Sequence, residues 1–271
     1  MSDLRAIAVL ARNHRVQGRY RDAEDGFRRA VAVAEDAYGP ESIEVAELLN
    51  ELGITLKYSG GFDEAKQLYL RALPIVTRVV GRAHPDVAAI HHNLGGVEHA
   101  RGRYAEAEAP ARRAVEIRRR ALGPEHPDVA ADEAALAAIL DPLRKLDEAE
   151  TLLRHALAVF ERHYGPEDYE VASTLNNLGA ILYKRGAASE AELAYRRAFA
   201  IKEMLLGTRH PELATLLNNL AVLAKERGAS SEATWMYRRA LALLDGAVEP
   251  DHPTLTTIRE NAEKLERAAL G

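Results

Sequence analysis

His92 and His99 stand seven residues apart, a spacing that puts both imidazoles on one face of a helix, and Asp141 follows His99 by 42 residues. Two imidazoles and a carboxylate in one place could hold a divalent metal or share a proton as an acid–base pair. The pattern lacks what such a centre needs: closely spaced ligands and a firm third donor. The chain has no cysteine, which removes disulfides, thiolate metal sites and a cysteine nucleophile. It also has no glycine-rich phosphate loop, nucleophile elbow or HExxH sequence. The expectation is a protein that is not an enzyme and needs no cofactor or metal, with His92, His99 and Asp141 as polar residues lining a groove.

The elements that would position these side chains are repeats. Gly39, Gly81, Gly123, Gly165 and Gly207 recur every 42 residues, and Gly18, Gly60, Gly102, Gly186 and Gly228 form a second comb of the same period. Glycine suits the sharp ends of helices because it reaches positive φ without strain. Between the combs run a leucine column, Leu10, Leu52, Leu94, Leu136, Leu178 and Leu220, and two alanine columns, which begin at Ala23 and at Ala30. Alanine fits where two helices cross at close range, and leucine fills the gap beside it. The column Phe27, Tyr69, Ala111, Leu153, Tyr195 and Tyr237 supplies bulky wedges between hairpins, except in the third repeat. Looser packing is expected around Ala111, with Pro110 adding a lost helical hydrogen bond.

Each repeat thus reads as a helix A of four turns, a tight turn and a helix B of about five. The fold class is all-α, a single domain over residues 1–271 with repeats at about 2–43, 44–85, 86–127, 128–169, 170–211 and 212–253. The histidines of His84-Pro85, His126-Pro127, His210-Pro211 and His252-Pro253 fall at the links and read as turn residues, with proline opening the next helix. Residues 254–269 match a helix A alone, with Leu255, Ile258, Ala262 and Leu265 on one face, and read as a cap that completes the array.

Composition excludes several classes. A formal charge of −5 and a pI near 6.1 make nucleic acid an unlikely partner. No signal peptide and no run of eighteen apolar residues occur, so no membrane partner is expected and a cytoplasmic location is the default. The arginines Arg112, Arg113 and Arg118 to Arg120 sit on a helix B and read as a solvated outer face.

The fifth repeat, from Val171 to Tyr183 and from Ser189 to Ala198, resembles the 42-residue tetratricopeptide repeats of kinesin light chains and many bacterial signalling proteins. The resemblance covers nearly the whole chain, without the heptad coiled coil that accompanies light chains. It implies a right-handed superhelix whose helix A residues line a concave groove for an extended peptide or a partner helix. In similar proteins an asparagine column on that wall hydrogen-bonds the peptide backbone, and the matching column here is Val9, Glu51, Asn93, Ala135, Asn177, Asn219 and Asn261. An asparagine amide can donate and accept, so it pairs with any main chain; the other use of such amides is to bind neighbouring repeats.

Specificity is expected from the columns beside it: Asn50, His92, Asn176 and Asn218 one residue earlier, and Lys57, His99, Tyr183 and Lys225 on later turns. Arg5, Arg12 and Arg15 share a face of the first helix and would make a basic end that attracts acidic residues. The favoured partner is another protein or peptide, bound by a scaffold or adaptor; the competing reading is an RNA-binding or small-ligand-sensing regulator. The oligomeric state is not legible. The fourth repeat departs from the series, with Arg144 for the turn glycine, Asp141-Pro142 ending helix A early and alanines for both asparagines, so it reads as an irregular joint or an apolar pocket. Pro74, inside the second helix B, predicts a local kink.

Overall fold

Alternation of tight turns with long apolar-striped segments leaves the chain one solution, helices packed in sequence, and the computed structural model, which describes residues 2–270, shows it. Thirteen helices and no strand occur among the described residues. The A helices are α1 (Ser2–Val16), α3 (Ile43–Ser59), α5 (Pro85–Ala100), α7 (Pro127–Leu140), α9 (Tyr169–Lys184) and α11 (Leu213–Glu226). The B helices are α2 (Tyr20–Tyr38), α4 (Phe62–Val80), α6 (Tyr104–Leu122), α8 (Leu146–Tyr164), α10 (Ala188–Leu206) and α12 (Ser230–Leu244), with α13 (Pro253–Leu270) last. They form two units that divide between Arg144 and Lys145: α1 to α7, and α8 to α13. Within each unit every helix packs on the next.

The repeated columns are the core. Ala23, Ala65 and Ala107 in the first unit and Ala149, Ala191 and Ala233 in the second are fully buried, as helix crossings at close range require. Leu52, Leu94, Leu136, Leu178 and Leu220 are buried, while Leu10 in α1 is half exposed. Phe27, Tyr69, Leu153, Tyr195 and Tyr237 are buried wedges, each worth about 1.5–3 kcal/mol relative to exposure. Two of these rings lie across glycines: a Cβ on Gly53 would come within 2.6 Å of Tyr69, and one on Gly179 within 2.7 Å of Tyr195. In the third repeat Gly95 meets the Ala111 backbone and methyl instead, at 3.2 and 3.3 Å from such a Cβ, so helices α5 and α6 close on each other.

Helix ends follow local chemistry. Gly39, Gly81, Gly123, Gly165 and Gly207 end B helices with φ of 87, 88, 85, 91 and 88°, a region open mainly to glycine. The linker histidines are turn residues as expected, and the geometry adds a function: Nδ1 of His84, His126, His210 and His252 accepts the backbone N–H two residues on, at 3.3, 3.1, 3.3 and 3.3 Å. Asp168 makes the same cap to Glu170 at 2.8 Å. Arg144, in the place of a turn glycine, takes φ of 60° and is the one non-glycine in that region among the described residues. Helix α7 stops at Leu140, before Asp141-Pro142, as the sequence indicates. Pro74 and Pro110 lie inside α4 and α6, which run unbroken through them. In α13, Leu255, Ile258 and Leu265 are buried on one face.

The B helices are tied across repeats by arginine–glutamate pairs. Arg28 reaches Glu64 at 2.7 Å in the first unit, and in the second Arg154 reaches Glu190 at 2.8 Å and Arg197 pairs with Glu161 at 2.5 Å. The arginine run is only partly the solvated face expected of it. Arg118 turns inward to the buried Asp132 at 3.1 Å and Arg119 to the buried Glu133, while Arg120 stays exposed beside Glu116.

Candidate functional site

In the second unit the A helices α9 and α11, with α13, present a column of asparagines whose side chains are half-buried. Their amides form one directed chain. Asn261 donates to Asn218 at 3.0 Å, Asn218 to Asn219 at 3.4 Å, Asn219 to Asn176 at 3.3 Å and Asn176 to Asn177 at 3.4 Å. The links between repeats span 43 residues, one more than the period, because the amide of one helix reaches the earlier column of its neighbour. Binding of neighbouring repeats is therefore one use of these amides. Each still holds a second N–H or a second carbonyl lone pair, and the chain ends on a free Asn177 Nδ2 and a free Asn261 Oδ1.

The same 43-residue step recurs beside the asparagines. The Tyr183 hydroxyl donates to Glu226, a bond that holds its pKa up at about 12. The Tyr169 hydroxyl donates to Glu212 at 2.7 Å, and Lys202 reaches the same carboxylate at 2.7 Å while lying over the Tyr169 ring. Lys225, also on this wall, is half-buried.

In the first unit the rung is Asn93 to Asn50, at 2.8 Å, with Asn93 nearly buried. The carboxylate that reaches His92 is Asp132, at 2.7 Å, rather than Asp141. Asp132 is almost fully buried and also takes Arg118, so it ties α5, α6 and α7. No group of three histidines, aspartates or glutamates suited to a metal ion occurs among the described residues.

At the end expected to be basic, one carboxylate stands between two arginines. Glu51 takes Arg12 at 3.0 Å and Arg15 at 2.7 Å, and its backbone oxygen accepts from Arg15 at 3.1 Å. Arg5 stays exposed. Between α1, α3 and α5 a recess of about 230 Å³ is bordered by Arg12, Asn50, Glu47 and Asp86, and burial, then Asp86 and Glu44, push the Glu47 carboxyl above the usual range. Part of the positive charge of Arg12 and Arg15 is thus met by Glu51.

Further along the same wall, Lys57 of α3 reaches over the bare side of Gly96 in α5: a Cβ there would stand 3.7 Å from its Nζ. Burial lowers the Lys57 pKa, and burial together with Lys57 lowers that of His99, so His99 is the neutral imidazole of the pair. Beside them opens a cavity of about 190 Å³, lined by Ala111, Ala135, Ala138 and Ile139 with His92, His99 and Asp132 at its rim. It lies beside Ala111, where the bulky column lacks its side chain, whereas α5 and α6 themselves pack closely there and show no looser contact.

Sequence reasoning placed Asn50, Asn93, Asn176, Asn177, Asn218 and Asn219 on one surface, and within each unit the structure joins them. It did not find Asp132, Glu133, Glu212 or Glu226 as their supports. Asp132 and Glu133 carried a signal, since the equivalent positions hold Leu48, Ile90, Thr174 and Leu216, and Leu49, His91, Leu175 and Leu217, so acidic residues there break mainly apolar columns. For Glu226 the sequence holds no such signal.

The family model described as Tetratricopeptide repeat matches residues 3–78, 86–162 and 132–204, and a second of the same description matches 213–254. Among solved structures, the nearly identical TPR-like repeats of a putative kinesin light chain from Podosopora anserina are 24% identical, with a TM-score of 0.64 over 75% of this chain and 97% of that one. BtubC (BKLC) from P. vanneervenii is 24% identical, with a TM-score of 0.62 over 99% and 92%. A Rap protein complexed with competence and sporulation factor is 16% identical, with a TM-score of 0.65 over 97% and 74%. No curated protein matches in sequence.

Proposed function

The chain belongs to the tetratricopeptide repeat family, and from that premise we propose that it is a non-enzymatic scaffold or adaptor whose helix A walls bind an extended peptide or a helix of another protein. The observation that carries the reading is the amide chain from Asn261 to Asn177. Its members are held in place by one another, so the N–H and carbonyl groups they keep in reserve are oriented before a partner arrives. Main-chain groups of an extended peptide match those donors and acceptors whatever the side chains. The like-folded Rap protein solved with competence and sporulation factor supports the reading.

The charge of −5 and the pairing of Arg12 and Arg15 with Glu51 count against RNA. No helix is long and apolar enough to cross a membrane among the described residues. The test is to select peptides from a displayed random library on the full chain, then map the winner by hydrogen exchange. Protection concentrated on α9 and α11, or on α3 and α5, is the expected result. Peptides protecting only the B helices, or an RNA affinity that falls steeply with salt, would replace the proposal.

A further inference from the structure

Five of the six repeats fill the space between successive hairpins from within, using Phe27, Tyr69, Leu153, Tyr195 and Tyr237. The third repeat keeps one half of that arrangement without the other. Gly95 stands where Gly53 and Gly179 make room for the rings of Tyr69 and Tyr195, yet its partner is Ala111. What remains beside Ala111 is a cavity of about 190 Å³ walled by alanine methyls and Ile139. An apolar void of about 150 Å³ is enough to take a benzene ring.

The rim is polar in a particular way. Asp132 is spent on His92 and Arg118. His99, by contrast, makes an edge contact with the Tyr104 ring at 5.5 Å but has no hydrogen-bond partner among the described residues. Lys57 likewise has no carboxylate partner among them, its ammonium resting 5.3 Å from the Tyr58 ring centroid. An unspent imidazole nitrogen borders an apolar hole of aromatic size, and the Lys57 ammonium lies over Gly96, one of its lining residues.

We propose that this cavity is the socket for a tyrosine side chain of the bound partner, its ring standing in for the wedge that α6 lacks at Ala111 and its hydroxyl hydrogen-bonding His99. Tyrosine fits better than phenylalanine because a bare ring would cover the His99 imidazole without pairing it. Three of the five internal wedges are themselves tyrosines. The inference rests on the peptide-binding reading for its source of the ring, but the socket is tested without any peptide.

The probe is p-cresol, the tyrosine side chain as a free molecule, titrated into the full chain while methyl NMR follows Ala135, Ala138 and Ile139. Saturable shifts at those methyls are expected. Toluene should bind about fivefold more weakly, the worth of one ordinary hydrogen bond, and His99→Ala should erase that difference. Ala111→Tyr should fill the socket, as Tyr69 fills its own, and abolish the shifts; Ala138→Leu does the same from α7 if Ala111→Tyr does not fold. No saturable shift, undiminished binding in the filled variants, or toluene equal to p-cresol would overturn the assignment. Because p-cresol has no main chain, such a failure leaves peptide binding along the amide wall untouched, and a wall that binds no peptide leaves the p-cresol result standing.

Discussion

Asn219 donates its side-chain amide to Asn176, 43 residues earlier, at 3.3 Å, and thereby joins two repeats through half-buried side chains. The pair should therefore be coupled in stability. Asn176→Ala and Asn219→Ala are each expected to cost about 0.5–1.5 kcal/mol, and the double variant less than their sum. A double-mutant cycle by chemical denaturation checks this, and strict additivity would mean the amides do not pair in solution.

Arg144 carries a left-handed backbone in a turn where five other repeats place glycine. Relief of that conformation by Arg144→Gly should stabilise the chain by about 1 kcal/mol, after the greater freedom of glycine in the unfolded state is offset. The measurement is the shift of the thermal midpoint. Arg144→Ala should bring no comparable gain, since alanine meets the same strain.

His126 caps α7 through Nδ1, accepting from the Asp128 backbone at 3.1 Å. His126→Ala should lose about 1 kcal/mol of stability. His126→Asp should keep most of it, because the carboxylate of Asp168 does the same work for α9. Calorimetry on the two variants separates capping from any other role of the ring.

Glu47 gives a pH signature. Its folded-state pKa is raised, by burial first and then by Asp86 and Glu44, above the ordinary 4.5. The folded chain thus holds this proton over a window just above 4.5 in which the unfolded chain has released it, and this contribution to stability falls as pH rises through that window. Glu47→Gln should raise the thermal midpoint at pH 7 and flatten the pH dependence in that window. An unchanged midpoint at pH 7 would show the carboxylate to be well solvated.

The period of 42 residues made the helices, their order and most of the core readable, because each packing column repeats a geometric demand. The void at Ala111 was readable for the same reason, as a gap in a column. The 43-residue pairing was not. It depends on how far one helix A turns and slides against the next, and a column of identical residues records their equivalence without their offset. Glu51 shows the same limit: it sits in the asparagine column, yet its partners Arg12 and Arg15 lie on the preceding helix A, so a carboxylate that one helix alone does not reveal stands between these arginines. Asp132 and Glu133 were visible as breaks in mainly apolar columns, and their partners Arg118 and Arg119, adjacent on α6, explain why burial tolerates them.

The central claim is that the helix A walls receive the partner. Its most direct test is calorimetry with a selected peptide against two sets of variants of the full chain. Asn177→Ala with Lys225→Ala alters the wall, whereas Leu193→Ser with Trp235→Ala alters exposed positions on α10 and α12. The account predicts at least ~tenfold weaker binding for the first pair, a loss of about 1.4 kcal/mol, and no change for the second. Weakened binding in the second pair with full affinity in the first would contradict it.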